Sequence, residues 1–335
     1  MNANTQVHAS TISSAVLLLW RALESCGCDG RALFAQVDLD PDRLHDPNAR
    51  YPFTALTRLW KLAAAATRDP CLGLTVARFW HPTTFHALGY SWMASQTLKD
   101  ALMRMARYSA IVTDAVSMDL TSSAEGFEFT LQPKFAPPAD EAIDAGMAIV
   151  LGMCRTSYGS TFNPLRVTMQ RDTPAIVDTF SQVFRAPIQF SAPENMLLFS
   201  NADLTAPLPT ANAELARAND RVITGYLARF THDSIKIRVE AKLLEQLSSG
   251  RATQGSIAKA LAMSPRTLQR NLKQEGTSYK QLLDDMRRQL ASQYIKESRL
   301  SVNEITFMLG FSEPANFSRA FRRWTGVSPS EYRLS

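Results

Sequence analysis

Ser264-Pro265-Arg266-Thr267-Leu268-Gln269-Arg270-Asn271-Leu272-Lys273-Gln274-Glu275-Gly276 carries its own boundaries. A serine at 264 is a good N-cap, because its hydroxyl accepts from one of the free N–H groups that open a helix. Pro265 suits the first helical position, where its ring presets φ and its missing N–H is not needed. Leu268 and Leu272 recur one turn apart and point inward, whereas Arg266, Gln269, Arg270 and Lys273 point outward. Gly276 stops the run.

Just upstream, Gln254 to Leu261 reads as a short helix and Ala262-Met263 as a turn, so the stretch is the second half of a helix-turn-helix unit. Ahead of it, Ile235 to Leu247 sets Val239, Leu243, Leu244 and Leu247 on one face, with Gly250 as a stop. Downstream, a long helix of about 21 residues, Ser278 to Ser298, carries the stripe Leu282, Leu283, Met286, Leu290, Tyr294 and Ile295. The short-helix, turn, helix pattern then recurs. Ser301-Val302-Asn303-Glu304 is a capping box, and Gly310-Phe311 is a turn. Ser312 is expected to cap a helix over Glu313 to Thr325, closed by Gly326. Ser328-Pro329-Ser330-Glu331 opens a last short helix.

A helix-turn-helix presents its second helix to the DNA major groove. Arginine pairs bidentately with guanine and glutamine with adenine, so Arg266, Gln269 and Arg270 suit base-edge contacts. On the second reader, Asn316, Ser318 and Arg319 suit base contacts and Arg322 and Arg323 are placed for phosphate, as is Lys273 on the first. The joining helix spans about 31 Å at 1.5 Å per residue, close to the ~34 Å between successive major grooves on one DNA face. Charge agrees with this. Residues 235–335 hold 17 basic and 9 acidic residues, net +8, within a chain of net +5; the first 234 residues are therefore net −3. Basic charge concentrated in one domain is the footprint of a polyanion partner.

The rest of the chain is mixed. Up to about residue 110 the pattern is helical, with Leu98, Leu102, Met105 and Tyr108 on one face. Phe127 to Gln132 and Leu165 to Gln170 alternate apolar and polar as strands do, and Met196 to Phe199 is a short apolar run. Helical stretches lie between them, at about Ala142 to Ser157 and Ala175 to Phe184. Pro207 and Pro209 precede a polar helical segment from Ala211 to Phe230. The expected fold is multidomain. Residues 1–229 make an α+β sensing and dimerisation domain. Residues 230–335 make an all-α domain with two helix-turn-helix units joined by a long helix.

Other chemistries find little support. No run approaches the ~18 apolar residues of a membrane span. Met1-Asn2-Ala3-Asn4-Thr5 lacks a basic n-region, which points to a cytoplasmic protein. Cys26-Gly27-Cys28 has one spacer residue where paired metal cysteines have two to four, and Cys71 and Cys154 have no partner motif; free thiols are expected. His81 and His86 flank Pro82 without an acidic ligand nearby, and read as packed or surface residues. Thr156-Ser157-Tyr158-Gly159-Ser160 is not a nucleophile elbow and reads as a helix end. Trp20, Trp60, Trp80 and Trp92, with Phe79, Phe85 and Tyr90, are more often core than pocket. No phosphate loop or dinucleotide fingerprint is present, so no cofactor and no metal are expected.

Gly310-Phe311, the run Phe317-Ser318-Arg319-Ala320-Phe321-Arg322-Arg323-Trp324-Thr325-Gly326-Val327-Ser328-Pro329, and Tyr332-Arg333 together resemble the signature of AraC/XylS-type transcription regulators. Met263 to Arg270 resembles that family's first reader, and Arg287 and Ala291 its connecting helix. The resemblance covers residues 235–335. It implies base contacts from Arg266, Gln269 and Arg270 in the first reader and from Ala315, Asn316, Ser318 and Arg319 in the second, with the first carrying more specificity. Two positions depart from the pattern: Thr306 stands where alanine is usual, and Ala262 where glycine is common. More weakly, Ala87 to Tyr90, Thr97 to Leu102, Arg107-Tyr108, Phe190 to Ala192 and Leu204 to Pro209 are similar to an arabinose-binding-like sensing domain. The subgroup with that domain includes regulators of ornithine utilisation. This implies promoter DNA, RNA polymerase and a small-molecule effector such as an amino acid or related metabolite as partners, and a homodimer. It implies an activator rather than an enzyme. The alternatives are an enzyme localised to DNA by an AraC-like module and a ligand-independent repressor or architectural protein.

Overall fold

The computed structural model describes residues 9–230, 235–247, 252–297 and 300–334. The expected stops at Gly250 and Ser298 lie outside the described residues. The chain divides into two compact units, residues 1–220 and 221–335. The division falls inside a helix, ahead of the 229/230 boundary read from sequence.

In the first unit, β1 (Ser10–Ile12) pairs antiparallel with β2 (Arg50–Pro52). Around this ribbon lie α1 (Ser13–Ser25), α2 (Gly30–Ala35), α3 (Phe53–Thr67) and α4 (Leu72–Ala77). Next come α5 (Ala87–Met93) and α6 (Leu98–Tyr108). Thr97 caps α6 by accepting from the Asp100 N–H, and Leu98, Leu102, Met105 and Tyr108 are all buried, as their spacing requires.

A five-stranded sheet follows, in the order β3 (Val116–Ser122), β4 (Phe127–Pro133), β7 (Asn195–Phe199), β5 (Arg166–Thr168), β6 (Ile188–Gln189). β5 and β6 run parallel; the other pairs are antiparallel. Central β7 is buried at every position, which explains its unbroken apolar run: both of its faces are covered. The strand β3 escaped the sequence reading, although Val116-Ser117-Met118-Asp119-Leu120 alternates. It lies at the sheet edge and is only partly buried, so its pattern is diluted by polar residues.

The long helix α7 (Asp140–Tyr158) is buried along most of its length, including Met147, Leu151 and Cys154. It ends at Tyr158, so Thr156, Ser157 and Tyr158 close a helix. α8 (Val177–Phe184) and α9 (Asn201–Thr205) flank the sheet strands in sequence, and α10 (Ala213–Phe230) follows. The start of α10 is anchored to the first unit: Asp220 accepts from Ser91 Oγ at 2.5 Å and pairs with Arg104 Nε at 3.2 Å.

The second unit is helical throughout its described residues. It comprises α11 (Ile235–Gln246), α12 (Gln254–Ala260), α13 (Pro265–Gln274), α14 (Tyr279–Glu297), α15 (Val302–Met308), α16 (Pro314–Thr325) and α17 (Pro329–Leu334). Its core joins Val239, Leu243, Ile257, Leu268, Leu272, Met286, Ile295, Ile305, Leu309, Phe317 and Phe321. Each such side chain contributes about 1.5–3 kcal/mol when fully buried, so the apolar stripes supply the unit's main cohesion.

Candidate nucleic-acid interface

The two outward helices are built alike. In α13, Ser264 Oγ accepts from the Thr267 N–H at 3.1 Å and Pro265 occupies the first helical position. In α16, Pro314 takes that position, and the residue before it, Glu313, is the N-cap. The sequence expectation placed Ser312 there. Pro314 decides otherwise: its fixed φ starts the helix, and the residue before a proline is held extended, as the Glu313 φ of −146° and ψ of 142° show. Glu313 makes no side-chain capping bond.

Aligning the prolines brings the readers into register. Arg266 corresponds to Ala315, Thr267 to Asn316, Leu268 to Phe317, Gln269 to Ser318, Arg270 to Arg319, Leu272 to Phe321, Lys273 to Arg322 and Gln274 to Arg323. Leu268 and Leu272, like Phe317 and Phe321, are fully buried. At about 100° per residue, Arg266, Arg270 and Lys273 lie opposite that buried face on α13, and Ala315, Arg319 and Arg322 do so on α16. Gln269 and Ser318 lie on one flank and Asn316 on the other, while Arg323 lies farther round toward the outward side than Arg322. The outward trio is thus three cations on the first reader and an alanine with two cations on the second, to which Arg323 adds a third.

The first trio and Gln269 are exposed. On the second reader, Ala315 and Arg319 are exposed while Asn316 and Ser318 are half-buried. Arg319 Nη2 donates to Asn316 Oδ1 at 2.7 Å, a one-turn pair that stiffens both side chains. Arg322 lies 4.0 Å from Glu331, and Arg323 lies 3.5 Å from Asp284 on α14. Such exposed pairs are worth about 0–1 kcal/mol, so a phosphate can displace either carboxylate.

The turns ahead of the readers are the same structure. The Ala262 N–H donates to the Lys259 carbonyl at 3.0 Å and the Met263 N–H to the Ala258 carbonyl at 2.9 Å. In the second helix-turn-helix the Gly310 N–H donates to Phe307 O at 2.9 Å and the Phe311 N–H to Thr306 O at 3.1 Å. Both are Schellman closures with a left-handed central residue, φ 55° at Ala262 and 68° at Gly310. The first departure from the family pattern is therefore an alanine held where glycine is at ease. The second, Thr306, is fully buried, and its hydroxyl donates to the Val302 carbonyl at 2.8 Å, so no polar group is stranded.

Side chains from neighbouring helices hold the readers in place. Arg287 on α14 donates from Nε to Leu309 O at 2.9 Å and from Nη2 to Gly310 O at 2.8 Å, with its guanidinium 4.2 Å from the centre of the Phe311 ring. Burial pushes its pKa below the ordinary arginine value. Arg333 on α17 donates to Ile295 O and Leu300 O. The Glu275 carboxylate accepts from the N–H groups of Ile235 and Lys236 at 2.6 and 3.0 Å, capping the start of α11 from the end of the first reader. The Glu275 and Arg333 clamps went unread, because their partners are 33 to 40 residues away in sequence. The connecting helix α14 has 19 residues, about 28 Å at 1.5 Å per residue.

The remaining sequence candidates resolve into structural roles. His81 caps a short 3₁₀ turn, and His86 lies 3.1 Å from Ser14 Oγ with its pKa lowered by burial. Cys26 is exposed, Cys28 half-buried, Cys71 and Cys154 buried, and all four are free thiols. Trp92 is fully buried and donates to Ser157 Oγ at 3.1 Å. Trp60 and Phe85, in contrast, line a cavity of about 160 Å³ in the first unit. Among the described residues no group of three His, Cys, Asp or Glu is placed to hold a metal ion, and no helix is long and apolar enough to cross a membrane.

Two protein families match parts of the chain. Residues 27–208 match the family described as the arabinose-binding domain of AraC transcription regulator, N-terminal part, and residues 257–335 match a helix-turn-helix domain family. The chain is 29% identical over 318 residues to the ornithine utilization regulator of Pseudomonas aeruginosa, covering 92% of this chain and 91% of that protein. It is 23% identical to the HTH-type transcriptional regulator VirS of Mycobacterium tuberculosis, covering 93% and 92% respectively. The crystal structure of the transcriptional regulator CdpR from Pseudomonas aeruginosa aligns over 95% of this chain and 98% of that one, with 21% identity and a TM-score of 0.47.

Proposed function

The chain belongs to the AraC family and is a DNA-binding transcription regulator; from that premise we propose that it is a small-molecule-responsive activator whose helices α13 and α16 read two neighbouring major-groove sites on one DNA face. The observation that carries the reading is the register shared by the two readers, which puts Arg266, Arg270 and Lys273 on the outward face of one and Ala315, Arg319 and Arg322 on that of the other. Base contacts fall to Arg266, Gln269 and Arg270, and to Ala315, Asn316, Ser318 and Arg319. Phosphate contacts fall to Lys273, Arg322 and Arg323. The first reader carries more of the sequence preference, because Ala315 offers no hydrogen bond where Arg266 offers a bidentate fork.

The 27–208 region takes the sensing role, and its ligand shifts the dimer or the readers between arrangements that differ in promoter affinity. Recruitment of RNA polymerase and assembly as a homodimer complete the proposed mechanism. Both come from the family resemblance.

Selection from a random DNA library with the full chain, at about 0.15 M salt where phosphate binding is partly suppressed, tests the reading. A motif with two sub-sites about one helical turn apart supports it. A motif with a single sub-site removes α16 as a reader, and equal recovery of all sequences removes sequence-specific reading altogether.

Two mutant classes separate the contact types. Arg270→Ala lowers affinity for the selected site by about 1–3 kcal/mol and relaxes preference at one base pair. Equal loss on random DNA would count against base contact. Lys273→Ala, Arg322→Ala and Arg323→Ala each weaken binding to all sequences and reduce the slope of log K against log salt by about 0.9. A slope unchanged by a given substitution takes that residue off the phosphate set.

A further inference from the structure

The cavity in the first unit lies among α1, α3, α7 and the edge of the sheet. We infer that it is a ligand site for an uncharged, mainly apolar small molecule, such as a monocyclic aromatic or a short aliphatic alcohol. The inference rests on the reading of this unit as the sensing domain, and specifies the chemistry of what it senses.

The lining settles the class. Its walls are aliphatic and aromatic, with Leu19, Leu56, Phe85, Met105, Leu131 and Ile149 buried around it. Trp60, Ala142 and Gly146 are half-buried and lie toward solvent. Among the described residues, the lining side chains with a polar group are the threonines Thr11, Thr57 and Thr113 and the indole of Trp60; no charged residue contributes. All three threonines are already engaged, since the hydroxyls of Thr11 and Thr113 meet at 3.2 Å, and Thr57 Oγ1 donates to Phe53 O at 3.1 Å.

A free amino acid would bring a carboxylate and an ammonium to this lining. Neither would find an opposite charge, and burying an unpaired charge is strongly unfavourable. The threonine hydroxyls retain lone pairs, so one ligand hydroxyl can be met there. Size agrees with a small apolar guest: a closed cavity of about 150 Å³ lined by Leu, Ile and Phe stays dry and admits benzene, and this one is about 160 Å³. Met105 and Met118 add flexible, polarizable walls that adapt to the shape of a guest.

The lining also supplies a way to fill the space. A Cβ added at Gly146 would meet only the Leu131 Cδ2 atom, at 3.4 Å, so a side chain there enters the cavity without a backbone clash. Ala142 lies one turn earlier on α7 and lines the same space.

The test is ligand-observed saturation-transfer NMR on the full chain with benzyl alcohol, 1-hexanol and L-ornithine as probes. Wild type is expected to bind benzyl alcohol and 1-hexanol in mutual competition, and not ornithine. Gly146→Leu, and independently Ala142→Leu, are expected to keep the wild-type circular dichroism spectrum while weakening both apolar probes at least tenfold. Ornithine competing with benzyl alcohol on the wild type overturns the inference. So does undiminished binding of the apolar probes to a folded, filled variant. Whether a bound probe alters DNA affinity is read separately: that response tests the sensing role, and binding alone tests the cavity.

Discussion

Arg287→Ala lowers the stability of the C-terminal unit by about 2–4 kcal/mol and weakens binding to the second sub-site more than to the first. Two hydrogen bonds from a charged donor are lost, at about 1.5–3 kcal/mol each before relaxation, along with a cation–π contact worth about 0.5–2 kcal/mol. Partial exposure of Arg287 and water entering the vacated space hold the total below the sum. The carbonyls of Leu309 and Gly310 then lose the donors that pin the turn ahead of α16. Urea unfolding gives the stability change, and DNA probes with one sub-site scrambled at a time give the asymmetry. Arg287→Lys should rescue little, because a lysine cannot hold both carbonyls and stack on Phe311 with one ammonium. Full rescue by lysine would show that charge alone matters at this position.

Gly310→Ala is the second large effect, at about 2–4 kcal/mol of lost stability. The left-handed φ of 68° itself costs a residue bearing a Cβ about 1–2 kcal/mol. The added Cβ would also come within 2.7 Å of the Leu247 carbonyl oxygen, a backbone atom that cannot swing aside. The equivalent turn in the first helix-turn-helix supplies the opposite experiment. Ala262 already bears its Cβ at a φ of 55°, so Ala262→Gly relieves strain. It also frees the unfolded chain by about 0.4–1 kcal/mol, which leaves a net gain of about 0.5–1 kcal/mol. Chemical denaturation of the two variants side by side should show shifts of opposite sign. A loss at both positions would mean that the turns are not equivalent.

Much of the second unit was legible in advance because its signals are local. The cap at Ser264, the capping boxes at Ser301 and Ser328 and the closing Gly326 each depend on residues within a turn of one another. The error at Ser312 has the same origin: serine and proline signals compete over adjacent positions, and the proline constraint on backbone angle outweighs a side-chain hydrogen bond. In the first unit the α6 stripe was readable to the residue, while β3 was not, because an edge strand half open to solvent shows little contrast between its faces.

By itself the sequence determined the class of this protein. Periodicity places the apolar stripes, caps bound the helices, and the basic excess after residue 235 marks the domain that meets a polyanion. All three are properties of near neighbours or of composition. Tertiary structure alone decided where a cavity forms and how α13 and α16 are held. The cavity draws its walls from residues between Thr11 and Val150, and the brace on the second reader joins Arg287 to carbonyls 22 and 23 residues away. An aromatic residue destined for a cavity has the same local pattern as one destined for the core, as Trp60 and Trp92 illustrate. The difference lies in whether the opposing elements close completely around the side chain, and that is a property of the packed fold.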